Sequence, residues 1–121
     1  MRNILVIDDD TQIRSMLRRV LEREGYVVEE ACDGLEGLRI YRENPADLVI
    51  TDIIMPNKEG IELIKDLLHE FPDIKIIATS GGGNMPPQLY LGLAEGLGVD
   101  QVFAKPFDIK ELLAAVKALL E

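Results

Sequence analysis

Four short apolar runs, each delivering the chain to a polar side chain, constrain this sequence more than any other feature. Ile4-Leu5-Val6-Ile7 runs into Asp8-Asp9-Asp10, Leu48-Val49-Ile50-Thr51 into Asp52, Ile74 to Thr79 into Ser80, and Val102-Phe103-Ala104 into Lys105. Runs this short and this branched read as strands of a parallel sheet buried on both faces. Tyr26-Val27-Val28 is a further run, less apolar and therefore expected nearer an edge.

Between the runs, apolar residues recur at helical spacing. Ile13, Met16, Leu17, Val20 and Leu21 mark a first helix, capped by Asp10 or Thr11 and stopped at Gly25. Gly34 opens a second through Leu35, Leu38 and Tyr41, ended by Asn44-Pro45. Ile61, Ile64, Leu67, Leu68 and Phe71 mark a third, closed by Pro72. Leu89, Leu93 and Leu97 line a fourth, weakened by Gly92 and Gly96. In the fifth, Asp108 and Glu111 form a capping box and Ile109, Leu112, Leu113, Val116 and Leu120 face inward. Five strands alternating with five helices imply right-handed βαβ crossovers. The expected fold is α/β: a single three-layer, doubly wound (βα)5 domain over residues 1–121, with a parallel five-stranded sheet and no output domain attached.

Bulk properties exclude several functions. Lys and Arg total 13 against 22 acids, a net charge of −9, which argues against direct binding to a nucleic-acid backbone. Met1-Arg2-Asn3 leads straight into Ile4, so no signal peptide is expected, and no apolar stretch approaches the length of a membrane span. Cys32 is the only cysteine, so no intrachain disulfide forms; it is expected to pack as a small apolar residue, and the expected location is cytoplasmic. His69 stands near a helix end as a solvated side chain. Gly81-Gly82-Gly83 has neither dinucleotide nor P-loop spacing and reads as a loop.

In a parallel sheet all the carboxyl ends lie along one rim, where open α/β folds bind ligands. Asp8, Asp9, Asp52, Ser80 and Lys105 therefore converge if their strands are neighbours. Two carboxylates about 5 Å apart repel by roughly 3 kcal/mol at an effective dielectric near 20. Lys105 offsets part of that, and a hard divalent cation such as Mg²⁺ would offset the rest. Carboxylates, a cation, a hydroxyl and an ammonium are also the parts of a phosphoryl-transfer site. Asp52 would be the nucleophile, Asp9 and Asp52 with Asp8 the metal ligands, and Lys105 and Ser80 the partners of phosphoryl oxygens.

Asp8-Asp9, Asp52 with Pro56 four positions on, Ser80 before a small residue, and Lys105-Pro106-Phe107 together resemble the receiver domain of bacterial response regulators. The resemblance spans the whole chain. It implies a flavodoxin-like sheet in order 2-1-3-4-5, Mg²⁺ dependence, and phosphoryl transfer from a sensor kinase histidine, or a phosphotransfer protein, to Asp52. It also implies that the backbone carbonyl of Ile54 completes the metal site. The output would be a changed affinity for a downstream effector, at a face made by the fourth helix, fifth strand and fifth helix; the same face could serve a homodimer.

Two departures from the family pattern stand out. Val102 occupies the place of an aromatic three residues before the lysine, while Phe103 next to it points to the opposite face. Ile54 and Gly82 stand where family members position the hydrolytic water, and neither can hydrogen-bond it through a side chain, so slow self-dephosphorylation is expected. A small aspartyl-phosphate phosphatase is the enzyme alternative, and it would need an acid where Ile54 stands. A receiver-like module that binds partners without phosphorylation is the structural one.

Overall fold

Side-chain alternation along the strands sets the layers. The computed structural model describes residues 2–53, 60–80, 92 and 95–121. Its strands are β1 (Asn3–Ile7), β2 (Val27–Ala31), β3 (Leu48–Asp52), β4 (Ile76–Ser80) and β5 (Gln101–Ala104). They form one parallel sheet in the order β2-β1-β3-β4-β5. Leu5, Ile7, Val49 and Ala78 point to one face; Ile4, Val6, Ile50 and Ile77 point to the other. Both faces are buried, which is why these strands are apolar throughout rather than alternating.

Helices α2 (Gly34–Glu43) and α3 (Gly60–Glu70) cover the first face through Leu38, Tyr41, Leu63, Ile64 and Leu67. Helices α1 (Thr11–Arg23) and α4 (Ile109–Leu120) cover the second through Leu17, Leu21, Leu112, Val116 and Leu120. Each of these leucines contributes roughly 1.5–3 kcal/mol by leaving water. The result is the expected three-layer, doubly wound α/β fold. The predicted fifth helix is α4; the predicted fourth falls largely outside the described residues, and of its positions 92 and 95–97 are described and helical.

Several local expectations shift. β2 continues to Ala31 through Glu29 and Glu30, because an edge strand tolerates charge on its half-exposed positions. β4 starts at Ile76 rather than Ile74. Leu35 is 58% exposed, and Gly34 and Gly37 take the inward positions of α2 instead. A Cβ on Gly37 would meet Ile7 Cδ1 at 2.5 Å, so the helix approaches β1 as closely as glycine allows. Cys32 is exposed rather than packed, its Sγ 3.7 Å from Glu36 Oε2. His69 is exposed in the last turn of α3, as expected.

The helix entries follow their caps. Asp10 caps α1, accepting hydrogen bonds from the Gln12 and Ile13 amides, and Asp108 caps α4 through the Lys110 and Glu111 amides. Asp33, which the sequence reading passed over, caps α2 through the Glu36 amide. Each cap is worth about 1 kcal/mol. Gly25, at φ +95°, turns the chain out of α1 into β2.

Candidate functional site

The sheet register carries the predicted residues to one rim. Ile7 pairs with Thr51, so Asp8 and Asp52 leave neighbouring strands side by side. Asp52 pairs with Thr79, and Ser80 with Ala104, which brings Ser80 and Lys105 alongside. The Lys105 amide donates to the Ser80 carbonyl at 2.6 Å, closing the rim across β4 and β5. Asp8, Asp9, Asp52, Ser80 and Lys105 are thus brought together. Ile54, whose carbonyl was the fourth expected metal ligand, lies outside the described residues, as does Gly82.

The centre of the site is an ammonium shared by two buried acids. Lys105 Nζ donates to Asp8 Oδ2 at 2.8 Å and to Asp52 Oδ2 at 3.1 Å. The acid side chains are 3% and 9% exposed and the lysine 16%, so this charge cluster is largely removed from water. Burial alone pulls the Lys105 pKa down, but the Asp8 hydrogen bond and the Asp52 and Asp8 charges outweigh it and hold the ammonium above its ordinary range.

Asp9 adds a third, exposed carboxylate. One oxygen from each of Asp8, Asp9 and Asp52 lies within 4.8 Å of the others. Like charges at that spacing repel by roughly 3 kcal/mol per pair at an effective dielectric near 20, and a single ammonium does not neutralise three anions. An all-oxygen donor set with one exposed member suits Mg²⁺, which keeps part of its hydration shell.

Ser80 supplies a second pointer to a ligand. It is 0% exposed, and its Oγ has no hydrogen-bond partner among the described residues. A buried hydroxyl left this way costs about 1–3 kcal/mol, a cost that an arriving acceptor oxygen would remove.

Two residues that the sequence reading missed shape the rim. Gly60, the first residue of α3, donates its amide to the Ile53 carbonyl at 2.8 Å. A Cβ there would stand 2.1 Å from the Asp52 carbonyl oxygen, so only glycine lets α3 start so close to the tip of β3. Arg14 on α1 reaches back to the Asp8 carbonyl with Nη1 at 2.5 Å, while its Nε donates to Glu30 Oε1 of β2 at 3.2 Å. Neither announces itself by spacing: Gly60 looks like a loop residue, and Arg14 like a solvated charge beside an apolar stripe.

Val102 packs on the α2–α3 side of the sheet and Phe103 on the α1–α4 side, where it meets Phe107 edge to face at 6.5 Å between centroids. The adjacent aromatic therefore does not substitute for the one missing at Val102.

A family model for the response regulator receiver domain matches residues 4–117. This chain belongs to that family. Among its relatives, response regulator GtcR of Aneurinibacillus migulanus is 40% identical over 98% of this chain and 48% of its own length. Response regulator MprA of Mycobacterium sp. (strain KMS) is 38% identical over 97% of this chain and 50% of its own. The chain therefore spans about half the length of the curated relatives it matches. Among solved structures, a response regulator receiver domain protein from Clostridium thermocellum superposes with a TM-score of 0.90 at 31% identity, covering 99% of this chain and 94% of that one. The receiver domain is a signalling module of two-component systems, and a phosphoacceptor role fits the site. No helix among the described residues is long and apolar enough to cross a membrane.

Proposed function

We propose that this receiver domain accepts a phosphoryl group on Asp52 from the phosphohistidine of a sensor kinase or phosphotransfer protein, and that the phosphorylated form binds a downstream effector protein with altered affinity. The observation that carries the proposal is the Lys105 ammonium held between Asp8 and Asp52, with Asp9 beside them. A carboxylate nucleophile at a sheet rim, flanked by an ammonium and by a buried hydroxyl with no partner among the described residues, has the parts that phosphoryl transfer needs.

In the transfer an Asp52 carboxylate oxygen attacks phosphorus as the bond from phosphorus to the donor imidazole nitrogen breaks. With the donor ring protonated on its other nitrogen, the products are an aspartyl phosphate and a neutral histidine. Lys105 stands where it can pair with one phosphoryl oxygen, and the Ser80 hydroxyl can donate to another. Asp8, Asp9 and Asp52 would hold Mg²⁺, with the Ile54 carbonyl as a further ligand. Bound there, the ion would neutralise the charge that the acids and the phosphoryl oxygens bring together. The chain turns over no free metabolite in this scheme; it is a switch. Its two states must differ in free energy toward the effector, which we place at the face of the fourth helix, β5 and α4.

Incubation with acetyl phosphate and Mg²⁺ tests the proposal. Stoichiometric labelling of wild type, none of Asp52→Asn and strongly reduced labelling of Lys105→Met is the expected result. Continuous release of phosphate would instead identify a phosphatase, and no uptake a module that works unphosphorylated. Because Ile54 and Gly82 offer no side-chain partner to water, the label should outlast minutes; decay within seconds would overturn that part.

A further inference from the structure

Asp9 is the weakly held member of the acid cluster. It is exposed, and no hydrogen bond or ion pair among the described residues reaches its carboxylate. Its position is therefore set by its backbone, which means by the Asp8–Asp9 peptide plane. That plane is fixed by side chains, because β1 ends at Ile7. The Asp8 amide still donates to the Ala31 carbonyl of β2 at 3.1 Å. The Asp8 carbonyl, one residue past the strand, accepts instead from Arg14 Nη1 at 2.5 Å. Arg14 is itself steered from outside: its side chain is 14% exposed, its Nε donates to Glu30 Oε1 at 3.2 Å, and the other Glu30 oxygen is held by Arg18 Nη1 at 2.7 Å. A chain of Arg18, Glu30 and Arg14 thus ends on the one backbone oxygen that orients Asp9.

We infer that Arg14, aimed by Glu30, is a positioning residue for the metal site: it holds the Asp8–Asp9 peptide so that the Asp9 carboxylate faces those of Asp8 and Asp52. The inference rests on the metal-site reading above. It carries a diagnostic sign. Arg14 is a cation close to the metal site, so by Coulomb repulsion alone its removal would tighten the binding of a divalent ion. As an orienting group its removal must weaken binding, and outer-shell partners of metal ligands typically contribute about 10- to 100-fold in affinity.

Titration calorimetry with Mg²⁺, paired with a thermal melt of each variant, separates these effects. Arg14→Ala and Arg14→Lys should each bind Mg²⁺ about 10-fold more weakly or worse. The lysine variant keeps the charge but cannot span both Glu30 and the Asp8 carbonyl. Glu30→Gln should weaken binding less and in the same direction, since it loosens the aim without removing the donor. Because loss of an anion weakens cation binding by charge alone, the charge-conserving Arg14→Lys carries the distinction, and a fall for Glu30→Gln supports the inference only alongside a fall for Arg14→Lys. Unchanged or tighter Mg²⁺ binding in Arg14→Lys or Glu30→Gln, at whatever melting temperature, overturns the inference. Asp9→Asn is the control for the underlying reading: if it binds Mg²⁺ as wild type does, the metal site itself is misassigned, whatever Arg14 does.

Discussion

At the scale of single residues, one cation stands in for another. Lys105 bonds the same two acids that would ligate a divalent ion, so the ammonium and the metal compete for one pool of negative charge. Two unit charges about 4 Å apart interact by roughly 1 kcal/mol even in bulk water, and by several times that in a half-buried site. Lys105→Met should therefore bind Mg²⁺ at least ~5-fold more tightly than wild type while losing phosphoryl uptake. Calorimetry checks the first half; weaker binding would mean that the lysine organises the acids rather than competing for them. The residue scale is also where motif and geometry part. The acids and the lysine were legible because each ends an apolar run, whereas Arg14 and Gly60 act through backbone carbonyls of residues that no spacing rule connects to them.

At the scale of elements, the site depends on how closely α3 begins behind β3. The Gly60 amide bonds to Ile53, and the space a Cβ would need is taken by the Asp52 carbonyl. In an ordinary helix Gly→Ala gains roughly 0.5–1 kcal/mol. Here overpacking should reverse that, and Gly60→Ala is expected to destabilise by about 1–3 kcal/mol. Displacing the tip of β3 should also lower Mg²⁺ affinity. Urea unfolding gives the stability, and a midpoint at or above that of wild type would show that α3 can withdraw without cost. Among the described residues, element existence and order were readable. Boundaries were not: β2 ran on through two glutamates and β4 began later than its apolar run, because hydrogen-bond register with the neighbouring strand sets where a strand starts and stops.

At the scale of the whole molecule, the last residue is tied to the first crossover. The Tyr26 hydroxyl donates to Glu121 Oε2 at 2.6 Å, and Lys117 pairs with Glu24 at 2.9 Å. Burial, and then the hydrogen bond and charge of Glu121, push the Tyr26 pKa from 10.0 up to about 12. The folded state thus retains a proton that the unfolded chain releases first. Stability from this group is fully present below the unfolded value and is lost as pH rises through the folded one. Denaturant unfolding across that alkaline window should show wild type losing its advantage over Tyr26→Phe as pH climbs. A difference between the two that stays constant with pH would mean that the hydroxyl is not the titrating group. The raised Lys105 pKa acts in the same direction, so the phenylalanine variant will still lose some stability there.

By itself the sequence determined the layers, the strands and the identity of the acids, hydroxyl and lysine at the rim. Those follow from periodicity and from the polar residue closing each apolar run, which are local along the chain. What only the tertiary structure decided is which groups hold the rim in place. Arg14 reaches the Asp8 carbonyl, Gly60 makes room for Asp52, and the buried Ser80 hydroxyl has no partner among the described residues. Backbone oxygens and empty space look alike at every position of a sequence; they acquire meaning only when the sheet register and the helix approach fix what stands next to them.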